Sequence, residues 1–226
     1  MGYGDIMNKI KIKEIILFCT VVFVFLTFEL IYLFLGVDFN TITSKDYILI
    51  TLSKYFVIIL FLLIYYKKYL VSKWKDFIKN FKYYFIISFK DWLTGFLIMI
   101  VSNSIIVNIV GSVGENEEAV QGLINAIPFI ALIMTTFLAP FVEEMIFRKS
   151  LQDCFNNKTF YMIMSGFIFG LIHTFGGPLI EYLYIIPYGA LGFMFAHTIN
   201  KTDNIYCTIM MHMLHNGFLT LIAILV

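Results

Sequence analysis

Two adjacent glutamates and an arginine interrupt an apolar stretch of this chain, Ala139-Pro-Phe-Val-Glu-Glu-Met-Ile-Phe-Arg148. A charge inside hydrocarbon costs several kcal/mol, so ionisable groups in such a segment indicate a functional site. Residues four apart share a helix face, which predicts that Glu144 pairs with Arg148. Glu143 points about 100° away and keeps no local partner. A buried, unpaired carboxylate suits a general base, so Glu143 is the candidate for proton transfer.

His173, in a later apolar segment, is a candidate partner for Glu143. The midpoint between the two residues falls at Lys158, directly after Asn156-Asn157, a polar pair that predicts a turn between two helices. Equal helix lengths on either side of that turn place the two side chains at the same height. This geometry predicts a contact between the carboxylate and the imidazole.

The last apolar segment carries His212 and Asn216, which are four residues apart and share one helix face. Two hydrogen-bond donors aimed at one point are what a developing oxyanion requires. His215 is adjacent to that face and is interpreted as a supporting group. His197, near the end of the preceding segment, is interpreted as a helix-end group.

The elements that must position these residues are membrane helices. The chain has 226 residues, of which 60% are hydrophobic and 14% charged, and its mean hydropathy is +0.87. An average soluble domain is roughly 45–50% apolar and 25% charged. The sequence therefore predicts an all-α polytopic membrane helix bundle. Its three cysteines form no C-x-x-C motif, so neither a disulfide framework nor a zinc knuckle is indicated.

A span of about 20 apolar residues predicts seven transmembrane helices. They are Ile15 to Gly36, Tyr47 to Tyr66, Trp92 to Val110, Ile127 to Phe147, Phe160 to Phe175, Glu181 to Ile199 and Ile205 to Val226. Lysines concentrate in alternate connections and at the N-terminus, where Lys9, Lys11 and Lys13 lie. Cytoplasmic loops are enriched in Lys and Arg, which predicts a cytoplasmic N-terminus and, with seven spans, an external C-terminus.

The segment Lys67–Asp91 is predicted to be an interfacial amphipathic helix, because large apolar side chains recur every three or four residues among its lysines. It either lies on the anionic leaflet or serves as a docking surface for a substrate segment. Glu29 and Lys54 lie at similar distances from a short outer loop. They are interpreted as a structural ion pair, with a substrate or proton-relay role as the alternative.

Three motifs can now be read together: Glu143-Glu144-x-x-x-Arg148, Phe169-x-x-x-His173 and His212-x-x-x-Asn216. In this order they resemble the CAAX protease and bacteriocin-processing family, also called Abi, of intramembrane glutamic endopeptidases, to which the Ras-converting enzyme belongs. The resemblance covers Phe129 to Leu221 and implies a protein of the bacterial plasma membrane. We interpret residues 1–226 as one membrane domain, with N-terminal spans and the interfacial helix in 1–91 and a catalytic core in 127–221.

The resemblance implies a role for each matching residue. Glu143 and His173 would hold and activate the attacking water, with no metal and no other cofactor. His212 and Asn216 would line the oxyanion site, while Glu144 and Arg148 match the rest of the first motif. The implied substrate is a peptide or a lipidated, membrane-associated protein in the lipid bilayer; nothing suggests nucleic acid. CAAX processing, peptide maturation and bacteriocin self-immunity stay open as physiological roles.

Other functions compete with proteolysis. Glu143, His173 and His212 could be zinc ligands, since carboxylates and imidazoles suit that metal, although the chain lacks H-E-x-x-H. The same residues could instead form a polar lock in a non-catalytic immunity or partner-binding membrane protein. A proton-coupled carrier usually shows internal repeats, and the sequence shows none.

Overall fold

The structure, a computed structural model, describes residues 11–38 and 41–225. These residues form helices and contain no β-strand, which confirms the predicted all-α membrane bundle. The helices are α1 (Ile12–Thr27), α2 (Leu30–Phe34), α3 (Ser44–Tyr65), α4 (Lys67–Lys79), α5 (Phe81–Val110), α6 (Glu115–Ala126), α7 (Pro128–Cys154), α8 (Lys158–His173), α9 (Ile185–Thr202) and α10 (Ile205–Leu225). A 3-10 turn, Leu179–Tyr184, leads directly into α9.

Within the described ranges, five segments are long and apolar enough to cross a membrane, and the protein is an integral membrane protein. The segments are Lys45–Tyr65, Phe81–Val110, Pro128–Cys154, Leu179–Thr202 and Ile205–Leu225. The other two predicted spans contain α1 and α8, each of 16 residues. Such a helix rises about 24 Å, less than the roughly 30 Å of hydrocarbon. Lys9 and Val226, on which the predicted orientation partly depends, lie outside the described residues.

Local sequence explains where several helices begin and end. Thr43 caps α3 in a capping box with Asp46, whose carboxylate accepts the Thr43 backbone N–H in return. Asn157 caps α8 by accepting the Phe160 N–H at 3.0 Å, so the turn falls where the sequence predicts it. Gly111 ends α5 in a left-handed conformation that glycine adopts without strain. The hairpin between α7 and α8 is therefore set by local capping.

Close packing of α8 on α9 supports one side of the bundle. A Cβ added at Gly166 would lie 2.7 Å from the Gly189 carbonyl oxygen, and one added at Gly170 would lie 2.6 Å from the Ile185 carbonyl oxygen. Only glycine lets the two backbones approach this closely, as small residues do in membrane helix pairs. This close approach fixes the position of His173 at the end of α8.

The predicted amphipathic helix Lys67–Asp91 is two helices rather than one. Asn80 separates α4 from α5, and its side-chain amide donates to the Asp76 carboxylate at 2.8 Å. Asparagine competes with helical backbone bonding through its side chain, which favours a break at this position. The amphipathic element is therefore confined to Lys67–Lys79, and the third span begins at Phe81 rather than Trp92.

The predicted ion pair between the first two spans is present. The Lys54 Nζ lies 2.6 Å from the Glu29 Oε1, and the ammonium also lies 5.3 Å from the centre of the Phe25 ring. Glu29 sits in the break between α1 and α2, so it reaches Lys54 without interrupting a long helix. This contact joins the N-terminal helices to each other and lies outside the cavity described below.

Candidate functional site

Helix α7 carries the first motif in an irregular stretch. Two π-helical turns, Met134–Leu138 and Met145–Ser150, lie on either side of Ala139–Glu144. A π turn changes the direction of the side chains that follow it, and such turns are frequent at functional sites. The hydroxyl of Ser165 donates to the Phe147 carbonyl at 2.8 Å, and that of Tyr161 donates to the Arg148 carbonyl at 3.1 Å. Helix α8 thus stabilises the second π turn.

The predicted pair of Glu144 and Arg148 is fully buried, with 0% of either side chain exposed. The Arg148 Nε lies 3.2 Å from the Glu144 Oε2, and the guanidinium carbon lies 4.4 Å from the Phe169 ring centre and 5.5 Å from that of Phe195. The aromatic faces attract the cation, while the carboxylate balances its charge. In the described part of the chain, the two Nη atoms of Arg148 have no hydrogen-bond acceptor.

His212 also binds Glu144, a contact that the sequence analysis missed. Its Nδ1 lies 2.8 Å from the Glu144 Oε1, so the two oxygens of this carboxylate face different partners. An ionised carboxylate only accepts hydrogen bonds, and Nδ1 must therefore carry the proton. His212 is held in one orientation by a buried carboxylate, and its Nε2 points toward Glu143.

Glu143 lies between two histidines of the site. Its Oε2 lies 3.9 Å from the His173 Nε2 and 3.7 Å from the His212 Nε2. Both separations are longer than a hydrogen bond, which requires about 3.2 Å or less. The hairpin places Glu143 and His173 at one level, and α10 adds His212 from a third direction. Two imidazoles therefore face one oxygen of a carboxylate without binding it directly.

His173 is oriented by three contacts from two helices. Its Nδ1 lies 2.7 Å from the Phe169 carbonyl oxygen, and its ring packs 4.3 Å from the Phe169 ring centre. Tyr188 stacks on the other side at 4.7 Å and 26°. The Asn116 side-chain amide donates to the Tyr188 hydroxyl at 3.2 Å, which links α6 to this wall. Nothing in the sequence spacing indicated Tyr188 or Asn116.

The third motif is only partly as predicted. The Asn216 amide donates to the Thr135 carbonyl in the first π turn at 3.0 Å, so one of its two N–H groups is occupied. The Nδ1 of His212 donates to Glu144 and carries the one proton of the neutral ring, so Nε2 can donate only when the imidazole is protonated. The predicted pair of free donors is therefore one amide N–H and one charge-dependent imidazole N–H.

The other histidines have distinct surroundings. His215 accepts from the Trp92 indole N–H at 3.3 Å and borders the same cavity as His212. His197 was interpreted as a helix-end group, and its Nδ1 lies 3.1 Å from the Asp91 Oδ2 in a separate cluster. Asp91 was not predicted to bind other residues, although an acidic residue just before a long apolar run indicates a need for a partner.

A cavity of about 420 Å³ contains the site. Glu143, His173, His212 and Asn216 all border it. Helix α6 covers it with one face, formed by Asn116, Glu117, Val120, Leu123 and Ile124, whose spacing is that of a single helix side. These four residues thus share one largely apolar chamber beneath an amphipathic helix.

Glu117 is a carboxylate in this wall that the sequence analysis did not select. Desolvation by the neighbouring elements raises the pKa of Glu117 above its ordinary value, although more than a third of the residue's surface stays accessible. Within the described residues it makes no ion pair and no hydrogen bond. It is the second unpaired carboxylate of the cavity.

The candidate zinc ligands lie together in the cavity. Among residues 11–38 and 41–225, no group of three or more His, Cys, Asp or Glu side chains is arranged to hold a metal ion. Glu143, His173 and His212 are suitable zinc donors by type. Nδ1 of each histidine is directed at a protein oxygen, which is also the usual arrangement of a zinc-bound histidine, and the Nε2 atoms lie 3.7 and 3.9 Å from the carboxylate.

Part of this chain is similar to known proteins. Residues 125–218 match the family model described as type II CAAX prenyl endopeptidase Rce1-like. YdiL of Bacillus subtilis (strain 168), provisionally named a membrane peptidase, is 29% identical over 141 residues, which are 58% of this chain and 55% of YdiL.

Two further relatives match parts of this chain. An uncharacterised protein of Mycoplasma capricolum is 34% identical over 91 residues, 39% of this chain and 26% of that protein. The UPF0177 protein YvdC of Lactococcus lactis is 26% identical over 198 residues, 82% of this chain and 72% of YvdC. The matched region thus spans about half of YdiL and a quarter of the Mycoplasma protein. No solved structure matches the chain.

Proposed function

We propose that this chain, which belongs through residues 125–218 to the CAAX protease and bacteriocin-processing family, is an intramembrane glutamic endopeptidase that works without a metal. The observation that carries the proposal is the approach of two imidazole Nε2 atoms to one oxygen of Glu143, at 3.7 and 3.9 Å, inside a cavity. A carboxylate and a histidine at this spacing can bind and deprotonate one water molecule.

The hydrogen bonding of His173 supports this role. A backbone carbonyl only accepts hydrogen bonds, so Nδ1 of His173 carries a proton and Nε2 of the neutral ring is an acceptor. Two acceptors, Nε2 and the Glu143 Oε2, then face each other across 3.9 Å. A water at about 2.8 Å from each would donate one hydrogen to each and keep a lone pair for attack.

The reaction that follows is peptide-bond hydrolysis. The water oxygen bonds to the carbonyl carbon, its proton passes to Glu143 or His173, and the carbonyl oxygen becomes an oxyanion. The free N–H of Asn216 and the Nε2–H of protonated His212 are the donors proposed for that oxyanion. Collapse of the intermediate breaks the C–N bond, and the stored proton goes to the leaving amine.

Glu144 and Arg148 are proposed as positioning residues. The Glu144 carboxylate accepts the Nδ1–H of His212 at 2.8 Å and so fixes the orientation of that ring, while Arg148 balances the charge of the carboxylate. Neither side chain borders the cavity, so they act through His212. This arrangement separates the two adjacent glutamates into a reacting group and a supporting group.

The substrate proposed is a peptide segment at or within the membrane, free or as the tail of a lipidated protein. The cavity wall is largely apolar, which suits an unfolded segment that enters from lipid. The family's description names a CAAX prenyl endopeptidase, and YdiL is provisionally named a membrane peptidase. Peptide maturation and bacteriocin self-immunity are roles that the same hydrolysis could serve.

The test compares membrane peptidomes of cells that carry the wild type, E143Q or E118Q. Glu118 is exposed on α6 and does not border the cavity, so E118Q is a matched control for the loss of one carboxylate. We expect uncleaved peptides to accumulate with E143Q only. An unchanged peptidome in cells with folded E143Q would contradict catalysis and favour a polar lock between helices.

A second arm addresses the zinc alternative. Purified protein is assayed on a peptide found in the first experiment, with and without a chelator, and its metal content is measured. Retained activity in chelator is expected. Loss of activity that zinc restores would replace the glutamic mechanism with a metal-dependent one.

A further inference from the structure

A second large concavity lies away from the cavity of the motifs, on the outer side of α4. It is an open groove of about 650 Å³. One face of α4 forms its length, with Lys67, Leu70, Val71, Trp74 and Lys75 at spacings of three, four, seven and eight from the first. Leu63 and Ile64 at the end of α3 and Tyr206 at the start of α10 complete the wall.

The opposite side of α4 is occupied, so the groove cannot close by rotation of the helix. The Lys73 ammonium lies 2.6 Å from the Asp203 carboxylate, and the Asn204 amide donates to the Lys73 carbonyl at 2.9 Å. Asp76 accepts from Asn204 at 3.2 Å, and Phe77 is buried against this corner. These contacts attach α4 to the turn between α9 and α10 and leave the groove face outward.

The groove combines accessible apolar surface with uncompensated charge. Val71 is 50% exposed and Trp74 is 47% exposed, whereas Leu70 forms the floor at 4%. Lys67 and Lys75 are exposed, and within the described residues neither makes an ion pair or a hydrogen bond. They lie about 12 Å apart along the helix. Two free cations thus border one apolar trough.

The position of α4 places this trough at the membrane edge. Helix α4 directly follows the span Lys45–Tyr65 and precedes the span Phe81–Val110, so it connects two spans on one side of the bilayer. Lysines near the headgroups attract anionic lipids, and tryptophan favours the same depth. Leu63 and Ile64 lie inside the preceding span, one turn deeper than Lys67.

We propose that this groove is a binding site for one anionic phospholipid. The phosphate is held by Lys67 and Lys75, and an acyl chain passes Leu70 and Val71 toward Leu63 and Ile64. Charge complementarity selects an anionic over a zwitterionic headgroup, and the deeper apolar wall selects a lipid over a soluble anion. The site is separate from the proposed catalytic cavity and does not depend on its activity.

The test uses full-length protein in bilayer nanodiscs and the fluorescence of its two tryptophans. Brominated phosphatidylglycerol is titrated into phosphatidylcholine, with brominated phosphatidylcholine as the reference quencher. The W74F variant retains Trp92 and identifies the part of the signal that belongs to Trp74. We expect phosphatidylglycerol to quench Trp74 at a lower mole fraction than phosphatidylcholine does.

The matched variants are K67Q/K75Q and K68Q/K79Q. Lys68 and Lys79 are exposed on α4 but do not border the groove, so both pairs remove the same charge from the same helix. We expect K67Q/K75Q to weaken the phosphatidylglycerol preference about 30-fold, which is the roughly 2 kcal/mol that two lysines contribute near an anionic surface. K68Q/K79Q should retain the preference.

Three outcomes would overturn the proposal. Equal quenching of Trp74 by the two lipids would show no headgroup selection. Equal losses in the two double variants would mean diffuse attraction to the leaflet. Shielding of Trp74 by a peptide substrate, with no lipid preference, would make the groove a peptide-docking surface. Thermal unfolding of both double variants verifies that each is folded.

Discussion

Two centres of this protein each place histidine beside a carboxylate and differ in how completely the carboxylate oxygens are bound. Asp91 has one oxygen 3.1 Å from both the His197 Nδ1 and the Thr198 hydroxyl, and the other 3.2 Å from the Lys201 ammonium. Glu143 also faces histidines, but the nearest ring nitrogens lie at 3.7 and 3.9 Å. The first carboxylate is saturated, whereas the second is available to a molecule in the cavity.

The origin of the partners explains this difference. His197, Thr198 and Lys201 occupy the last turns of α9, where a cation is also favoured by the helix dipole. One helix end therefore binds Asp91 as a unit and docks α5 onto α9. Glu143 receives its neighbours from α8 and α10, which approach from different directions. A carboxylate held by one helix serves packing, and one placed among three helices can serve chemistry.

The largest expected effect separates the two centres by activity. E143Q keeps the shape of the side chain but removes the base, and we expect kcat/KM on an identified peptide to fall 10²–10⁴-fold, roughly the contribution of a general base. Its melting temperature should stay near that of the wild type, because Glu143 makes no hydrogen bond to any residue that the structure describes. A folded E143Q with near-normal kcat/KM would remove the proposed distinction.

E144Q should have the largest effect on stability. The substitution leaves Arg148 buried without a counter-ion, and breaking a buried ion pair costs about 3–5 kcal/mol. Thermal or denaturant unfolding of the purified protein measures this loss. E143Q is the matched control on the adjacent position, and a smaller loss in E144Q than in E143Q would contradict the assignment of the two glutamates.

D91N should give an intermediate loss of stability. Asp91 accepts charge-assisted hydrogen bonds from α9, and their loss costs about 1–3 kcal/mol. We expect a lower melting temperature and, in the folded fraction, a kcat/KM close to that of the wild type. A fall of kcat/KM comparable to that of E143Q would show that the Asp91 centre takes part in the reaction.

E117Q should have the smallest effect, a change in how the melting temperature depends on pH. Its pKa is higher in the folded chain because of desolvation, so the folded state binds the proton more tightly than the unfolded state. Stability contributed by this group is present below the ordinary value of 4.5 and is lost as pH rises to the raised value. E117Q should therefore match the wild type in melting temperature below that window and exceed it above. The opposite dependence would place Glu117 beside an undetected cation.

Much of the candidate site follows from spacing. The four-residue separation of Glu144 and Arg148 makes their pairing a local property of α7. The equal distances of Glu143 and His173 from the capped turn at Asn157 bring those side chains to one level. Helix rise and local capping are sufficient for both results.

Span count and the amphipathic segment were less accessible to sequence analysis. Apolar content alone predicts seven spans, yet α1 and α8 have 16 residues each. The prediction of a single amphipathic helix was wrong, because the Asn80 side chain binds Asp76 and the helix ends there. Hydropathy averages over such interruptions, whereas a side-chain hydrogen bond ends a helix at one residue.

The sequence by itself determined a helical membrane protein, the pairing within α7 and the level at which two helices place an acid opposite a histidine. Tertiary structure decided how His212 is divided between the two glutamates, because it binds Glu144 and only faces Glu143. It also decided that α6 covers the cavity and that Asp91 is saturated. The rotation of each packed helix, altered in α7 by two π turns, sets where side chains point, and no local spacing rule contains that rotation.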